Sequence, residues 1–419
     1  MAYEVELPPD AEFEDIMLDR RIEPVFQPVV SLVDLRPVGF EAFARGPAGR
    51  FRSPAALFGA AAEAGRSAEL DELCAALATT AFREAAMPDL ALFVNFNPDT
   101  LSHEPIEGEG PAYADLMAES NVVMEITEKA VTRRPAGLLD AVVDARRHLA
   151  RIALDDIGVD PASLAAMPLI NPDVIKLDKT IIQSTSPDSH VINAVLDDAR
   201  QRGAQIVAEG VEDGEHLAAA RSLGATLAQG WLFGRPGPLP HDIRPSEQPL
   251  ARVGPRPDAQ ASPYDVLSAH CPVEATTPAQ FAAMSAEIEN QATQATGPAI
   301  LVVNIGDLRY LTDDSLIRYV YLTSHGTQVF LIGHDVPFTP GGRVRGIPLA
   351  EDDPLRRERT TLLVGTHYGS GAFARLRPTG DAGAVFDAGA CYDWDAVVEA
   401  TVPLVGRAKN ELVAREEEH

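Results

Sequence analysis

The stretch "RIALDDIGVD", residues 151–160, ends a short apolar run in two adjacent aspartates and follows them with a glycine-containing turn. The run reads as a strand. Two carboxylates side by side at its end repel each other, and burying either one unpaired is costly, so the fold has to supply an offset. Upstream, "AGLLDAVVDARRHLA" has helical spacing, whereas "NVVMEITE" and "LALFVNFN" read as strands. An Ala- and Leu-rich stretch over about 53–86 reads as one long helical segment. Before it, "EPVFQPVVSL" and "PVGFEAFAR" lie close enough to pair as a hairpin. Downstream, the strands "DVIKLD", "AQIVAEG" and "ATLAQGW" alternate with the helices "VINAVLDDARQRG" and "EHLAAARSLG". Short apolar strands alternating with helices make a parallel sheet covered by helices. Eight strands between residues 22 and 234 match the size of a TIM-type (β/α)8 barrel.

A proline-dense stretch without periodicity occupies residues 235–263 and reads as a linker. The chain thus divides into a barrel, 1–240, a linker, 241–263, and a second, smaller α/β domain, 264–412. In the latter, "PAILVVNI", "TQVFLIG", "RTTLLVGTHY", "AFARLRP" and "GAVFDAG" read as strands. "PAQFAAMSAEIENQA" and "WDAVVEATVPLVGRAKNELVAREEE" read as helices. His334 and His367 stand at strand ends there, where surface or satisfied histidines are ordinary, and no catalytic cluster is visible.

A net charge of −27 over 419 residues argues against nucleic acid or an anionic membrane as partner. No apolar run approaches the ~18 residues of a membrane span, and "MAYEVELPPD" lacks the pattern of a secretory signal. Cys74, Cys271 and Cys391 are scattered, without pairing or metal spacing, which suits a reducing cytoplasm. Lysine occurs only at Lys129, Lys176, Lys179 and Lys409, so a lysine at a strand end stands out.

Nearly every barrel strand ends in an acidic, amide or basic residue: Glu41, Asn95, Glu125, Asp155 with Asp156, Lys176, Glu209 and Gln229. Each alone would be an ordinary solvated or capping residue. Asp160 before Pro161, for example, reads as a helix N-cap and first turn. In a parallel barrel, however, the carboxyl ends of the strands meet at one face, where active sites form. Converging carboxylates need cations, and oxygen ligands in a histidine-poor, cysteine-free set suit Mg²⁺ or Mn²⁺ rather than zinc.

Eight ordered motifs carry a resemblance over about residues 10–240: "FQPVVSL", "GFEAFAR", "FVNFNPDTL", "MEITEKAV", "ALDDIG", "DVIKLD", "IVAEGVE" and "AQGWLFGRP". Together they resemble the EAL family of cyclic di-GMP phosphodiesterases. The resemblance implies a TIM-type barrel with an antiparallel first strand, a two-metal site for Mg²⁺ or Mn²⁺, and hydrolysis of cyclic di-GMP to linear pGpG. It implies metal ligation by Glu41, Asn95, Glu125, Asp155 and Asp156. Lys176, Glu209 and Gln229 would be catalytic, Gln27 and Arg45 would hold the nucleotide, and Glu128 would anchor the loop after the aspartates. A homodimer through the barrel is also implied. Two departures stand out: Phe43 replaces the usual leucine of the signature, and Ile157, Val159 and Asp160 alter the loop after the aspartates. Those loop changes keep a second reading open, a receptor or scaffold that binds cyclic di-GMP without cleaving it. Hydrolysis of another phosphodiester is a third. More weakly, "LIRYVYLTSHGTQVFLIG" and "GIPLAEDDPLRRERTTLLVGTHYGSGAFARL" resemble the DICT sensory domain, which implies that the second domain regulates the first.

Overall fold

The computed structural model describes residues 11–96, 121–127, 142, 151–157, 164, 167–184, 189–250, 261–295, 299–365, 368–377 and 385–405. Strands β1 (Glu23–Ser31), β2 (Pro37–Arg45), β3 (Ala91–Phe96), β4 (Val122–Thr127), β5 (Arg151–Ile157), β6 (Val174–Leu177), β7 (Gln205–Ala208) and β8 (Leu227–Gln229) close into a barrel. β1 runs antiparallel to both neighbours, β2 and β8. All the other pairings are parallel. The expected barrel with one reversed strand is what the chain forms.

Strand periodicity explains how the barrel is filled. Val29, Phe93, Val123, Ala153, Val174, Val207 and Leu227 form one apolar cluster. Side chains two positions apart on a strand share a face. Gln27, Asn95, Glu125, Asp155, Lys176, Glu209 and Gln229 each stand two positions from one of those residues, so all are directed to the same mouth. β1 obeys the rule in reverse, because it runs the other way and Gln27 precedes Val29. Glu41 pairs with Gln27 across the hairpin.

Seven helices are described around the barrel: α1 (Ala11–Leu18), α2 (Pro54–Glu63), α3 (Ser67–Glu84), α4 (Met167–Ile170), α5 (Lys179–Ile182), α6 (Ser189–Arg202) and α7 (Gly214–Ser222). The long helix expected over 53–86 is two helices, interrupted where Gly65 takes a φ of +68°. The helix expected at 136–150 lies outside the described residues apart from Val142. After the barrel the chain stays attached to it. Phe26 and Gly237 exchange main-chain hydrogen bonds of 2.7 and 3.0 Å, and Leu250 joins the apolar cluster inside the barrel.

The second domain comprises α8 (Pro263–His270), β9 (Glu274–Thr276), α9 (Pro278–Thr293), β10 (Ala299–Asp307), α10 (Asp313–Ser324), β11 (Thr327–His334), β12 (Arg345–Pro348), β13 (Glu358–Gly365), β14 (Gly369–Leu376), β15 (Phe386–Cys391) and α11 (Trp394–Val405). Its strand order is β12-β11-β10-β13-β14-β15-β9. β12, β11 and β10 are parallel, and direction reverses between β10 and β13. α9 starts at a complete capping box, Thr277 with Gln280, followed by Pro278 at its first position. α9 and α10 pack on one face of the sheet, and α8 and α11 on the other.

α11 is buried over most of its length. Ala396, Val397, Val398 and every residue from Ala400 to Val405 are buried, against the sheet, α8 and α4 of the barrel. A helix this apolar belongs in a core, and here the core is common to both domains. Arg202 of α6 stacks on Trp394 at 4.7 Å. The expectation that no cysteines pair is corrected: Cys271 and Cys391 form a disulfide across 120 residues of sequence, joining the end of α8 to the end of β15. Cys74 is free. Among the described residues, no helix is long and apolar enough to cross a membrane.

Candidate active site

Lys176 is the centre of the polar mouth and is 1 % exposed. Its Nζ lies 2.8 Å from Glu125 Oε1, 2.9 Å from Glu209 Oε1, 3.0 Å from Asp155 Oδ1 and 3.2 Å from Glu41 Oε2. Burial alone would lower the lysine pKa, but the summed field of Asp155, Glu125, Glu209 and Glu41 prevails and raises it well above its ordinary value. Burial pushes Glu125 well up, helped by Glu41 and Asp155 and opposed by Lys176. Burial likewise drives Glu209 up to about 8; Lys176 opposes this, and Asp155 and Glu41 add to it. One lysine is too little positive charge for its four carboxylates.

The amides organise the same cluster. Gln229 Nε2 donates to Glu41 Oε2 at 2.6 Å and to Gln27 Oε1 at 3.1 Å. Gln27 Nε2 donates to the Gly234 carbonyl at 2.9 Å. Asn95 Nδ2 donates to Glu41 Oε1 at 3.2 Å.

The aspartate pair is explained by the backbone. In a regular strand successive side chains point to opposite faces, which would send Asp156 away from Asp155. Instead the β5–β6 register shifts between Leu154 and Ile157, and Asp156 adopts a φ of +58°. Aspartate tolerates this left-handed conformation better than most residues, and such strain gathers at functional sites. Both carboxylates therefore line the opening. Oxygens of Asp155, Asp156 and Glu209 lie within 4.8 Å of one another.

The donor set fits a hard divalent cation. Glu125 is fully buried, and among the described residues neither of its oxygens receives a hydrogen bond; Oε1 has only its ion-pair contact with Lys176. A buried carboxylate left in that state is expensive, and positive charge relieves it. All nearby donors are oxygen or amide groups, as Mg²⁺ or Mn²⁺ prefers.

The site opens into a cavity of about 900 Å³ lined by Gln27, Glu41, Phe43, Asn95, Asp155, Asp156, Glu209 and Gln229 among others. The cavity is also lined by residues that the sequence did not mark as site residues, among them Lys179, Glu212 and Trp231. Trp231 is 54 % exposed with Arg235 stacked on it at 4.2 Å. Lys179 was marked only by the scarcity of lysine. It approaches Gly210, whose φ is +65° and where a Cβ would collide with the lysine Cβ. Arg45 is not brought to the cavity; its Nη1 donates to the Ala44 carbonyl at 2.9 Å. Glu128 lies outside the described residues, as do residues 158–160 of the altered loop.

Comparison with known proteins gives a consistent family. The profile of the EAL domain matches residues 11–236. The chain is 38% identical over 125 residues to the cyclic di-GMP phosphodiesterase RocR of Pseudomonas aeruginosa, covering 29% of this chain and 32% of RocR. It is 32% identical over 123 residues to the cyclic di-GMP phosphodiesterase PdeL of Escherichia coli, covering 28% of this chain and 33% of PdeL. The matches thus span about a third of the length of these two curated relatives. Among solved structures, a manganese and cyclic di-GMP complex of Klebsiella pneumoniae BlrP1 is 24% identical, with a TM-score of 0.46 over 56% of this chain and 58% of that one.

Proposed function

The chain belongs to the EAL-domain family, and from that premise we propose that it is a cyclic di-GMP phosphodiesterase that opens one phosphodiester to give linear pGpG. The observation that carries this reading is the convergence of Glu41, Glu125, Asp155 and Glu209 on Lys176, with Asp156 turned to join them. Two Mg²⁺ or Mn²⁺ ions held there would neutralise phosphoryl oxygens and acidify water. Asp155, Asp156, Glu41, Asn95 and Glu125 are the proposed holders. Lys176 balances part of the carboxylate charge and offsets charge that develops on the phosphate. Glu209 would take a proton from the attacking water at a carboxylate oxygen once bound cations have displaced the proton it holds in their absence. Gln229 and Gln27 fix the Glu41 side of the cavity.

The test is incubation of the full chain with cyclic di-GMP and Mn²⁺, followed by chromatography of pGpG. Intact cyclic di-GMP that nevertheless stays bound would replace this reading with the receptor one. We further propose the division into a barrel, 1–240, a linker, 241–263, and a DICT-like regulatory domain, 264–412, with a homodimer formed through the barrel. A cytoplasmic location is part of the proposal. The Cys271–Cys391 disulfide is the observation against it, since such bonds are rare in that compartment.

A further inference from the structure

Away from the barrel, four arginines from two turns and the start of one strand meet at one cleft of the second sheet. Arg309 follows β10, Arg356 and Arg357 precede β13, and Arg359 lies at its start. The cleft encloses about 440 Å³ at the carboxyl end of β10, within the size range of small-ligand sites. β10 is parallel to β11 and antiparallel to β13. Open α/β sheets tend to bind ligands at the carboxyl ends of their parallel strands, near a change in topology.

Arg309 and Arg356 share one aspartate, and Arg359 is held by main-chain oxygens. The guanidinium of Arg359 donates to the main-chain oxygens of Arg356 at 2.9 Å and Glu358 at 2.7 Å. Among the described residues no carboxylate forms an ion pair with it. Room for it depends on Gly306, whose φ is +68° and where any Cβ would collide with the guanidinium. Tyr310 is a shared platform, with Arg359 at 4.6 Å and Arg309 at 5.0 Å from its ring centre. Asp307 is shared between Arg309 at 3.6 Å and Arg356 at 3.5 Å. Of the other lining acids, Asp353 accepts from the main-chain N–H of Leu355, and Glu351 and Asp352 are exposed at the rim. Arg357 is exposed and has no ion-pair partner among the described residues.

We propose that this cleft binds a small metabolite through an oxyanion, a carboxylate or a phosphate, gripped by Arg356, Arg357 and Arg359. Planar guanidinium forks suit such groups. Nothing in the barrel chemistry requires this site, so it stands or falls independently of the phosphodiesterase reading.

The experiment is isothermal titration of the full chain, free of divalent metal, with inorganic phosphate in one arm and succinate in the other. Saturable binding of one molecule per chain is expected in at least one arm, and the arm that responds identifies the anion. Arg359→Gln should weaken that binding tenfold or more, about 1.4 kcal/mol, and Arg357→Gln about threefold to tenfold. Arg357 lies outside the core, so its variant decides the matter if Arg359→Gln fails to fold. Absence of saturable binding in both arms overturns the proposal, and so does wild-type affinity in Arg357→Gln.

Discussion

The barrel mouth and the cleft at the end of β10 differ in how they arrange charge and in burial. The mouth gathers carboxylates around one buried lysine. The cleft sets four arginines beside Asp307, which two of them share, and three further acids, close to solvent. Burial makes the difference consequential. An unbalanced charge in water is screened, whereas one in a dry interior must find a partner or change its protonation. The mouth therefore carries more buried negative charge than Lys176 offsets, whereas charged groups of the cleft reach solvent.

That contrast can be broken by experiment. The largest effect should come from Asp155→Asn, which removes charge where the aspartate pair meets Glu209. Turnover of cyclic di-GMP to pGpG should fall by about a thousandfold or more, with weaker Mn²⁺ affinity and little change in circular dichroism. Wild-type turnover in this variant would refute the metal assignment. Next, Lys176→Met leaves buried carboxylates without their cation and should cost about 3–5 kcal/mol of stability. Thermal unfolding measured with and without Mn²⁺ should show the metal recovering much of the loss. No recovery would mean that the cluster does not bind metal.

A third test uses pH. The folded metal-free protein holds the Glu209 proton up to about pH 8, whereas the unfolded chain releases it near 4.5. That contribution to stability is complete below about pH 4.5 and is lost as pH rises through about 8. The melting temperature should accordingly fall over this window, and Glu209→Gln or added Mn²⁺ should flatten the slope. A slope unchanged by either would assign it to another group. The smallest effect belongs to the second domain. Thr277→Ala removes the α9 capping box and should cost about 1 kcal/mol, equally with and without Mn²⁺. A metal-dependent cost there would tie the two regions together.

The barrel was legible because its strands repeat one pattern, an apolar residue inside and a polar one two positions on, as in Val123 with Glu125 and Val174 with Lys176. The left-handed Asp156 was not legible: nothing in "LDDIG" says which way the second carboxylate points, and only the β5–β6 register shift decides it. Nor was the direction of Arg45, a flexible side chain at a strand end. β9 and β12 escaped notice because short edge strands such as "EAT" and "RGIP" carry no apolar run; their pairing with β15 and β11 makes them strands. α10 does carry a signal, Thr312 capping its start with Ser315 three positions on. The Cys271–Cys391 pair could not be inferred from spacing, since only the fold brings residues 120 apart into contact.

The burial of α11 bears on how far this protein can be taken apart. A chain cut after Leu250 would strip the cover from α4 and remove the aromatic partner of Arg202. What emerged would be a barrel with a freshly exposed oily side, prone to clump before its chemistry could be assayed. Severing the two halves is thus a poor way to learn what one does to the other. Point changes along Trp394–Val405, which keep both halves in one chain, are the better instrument.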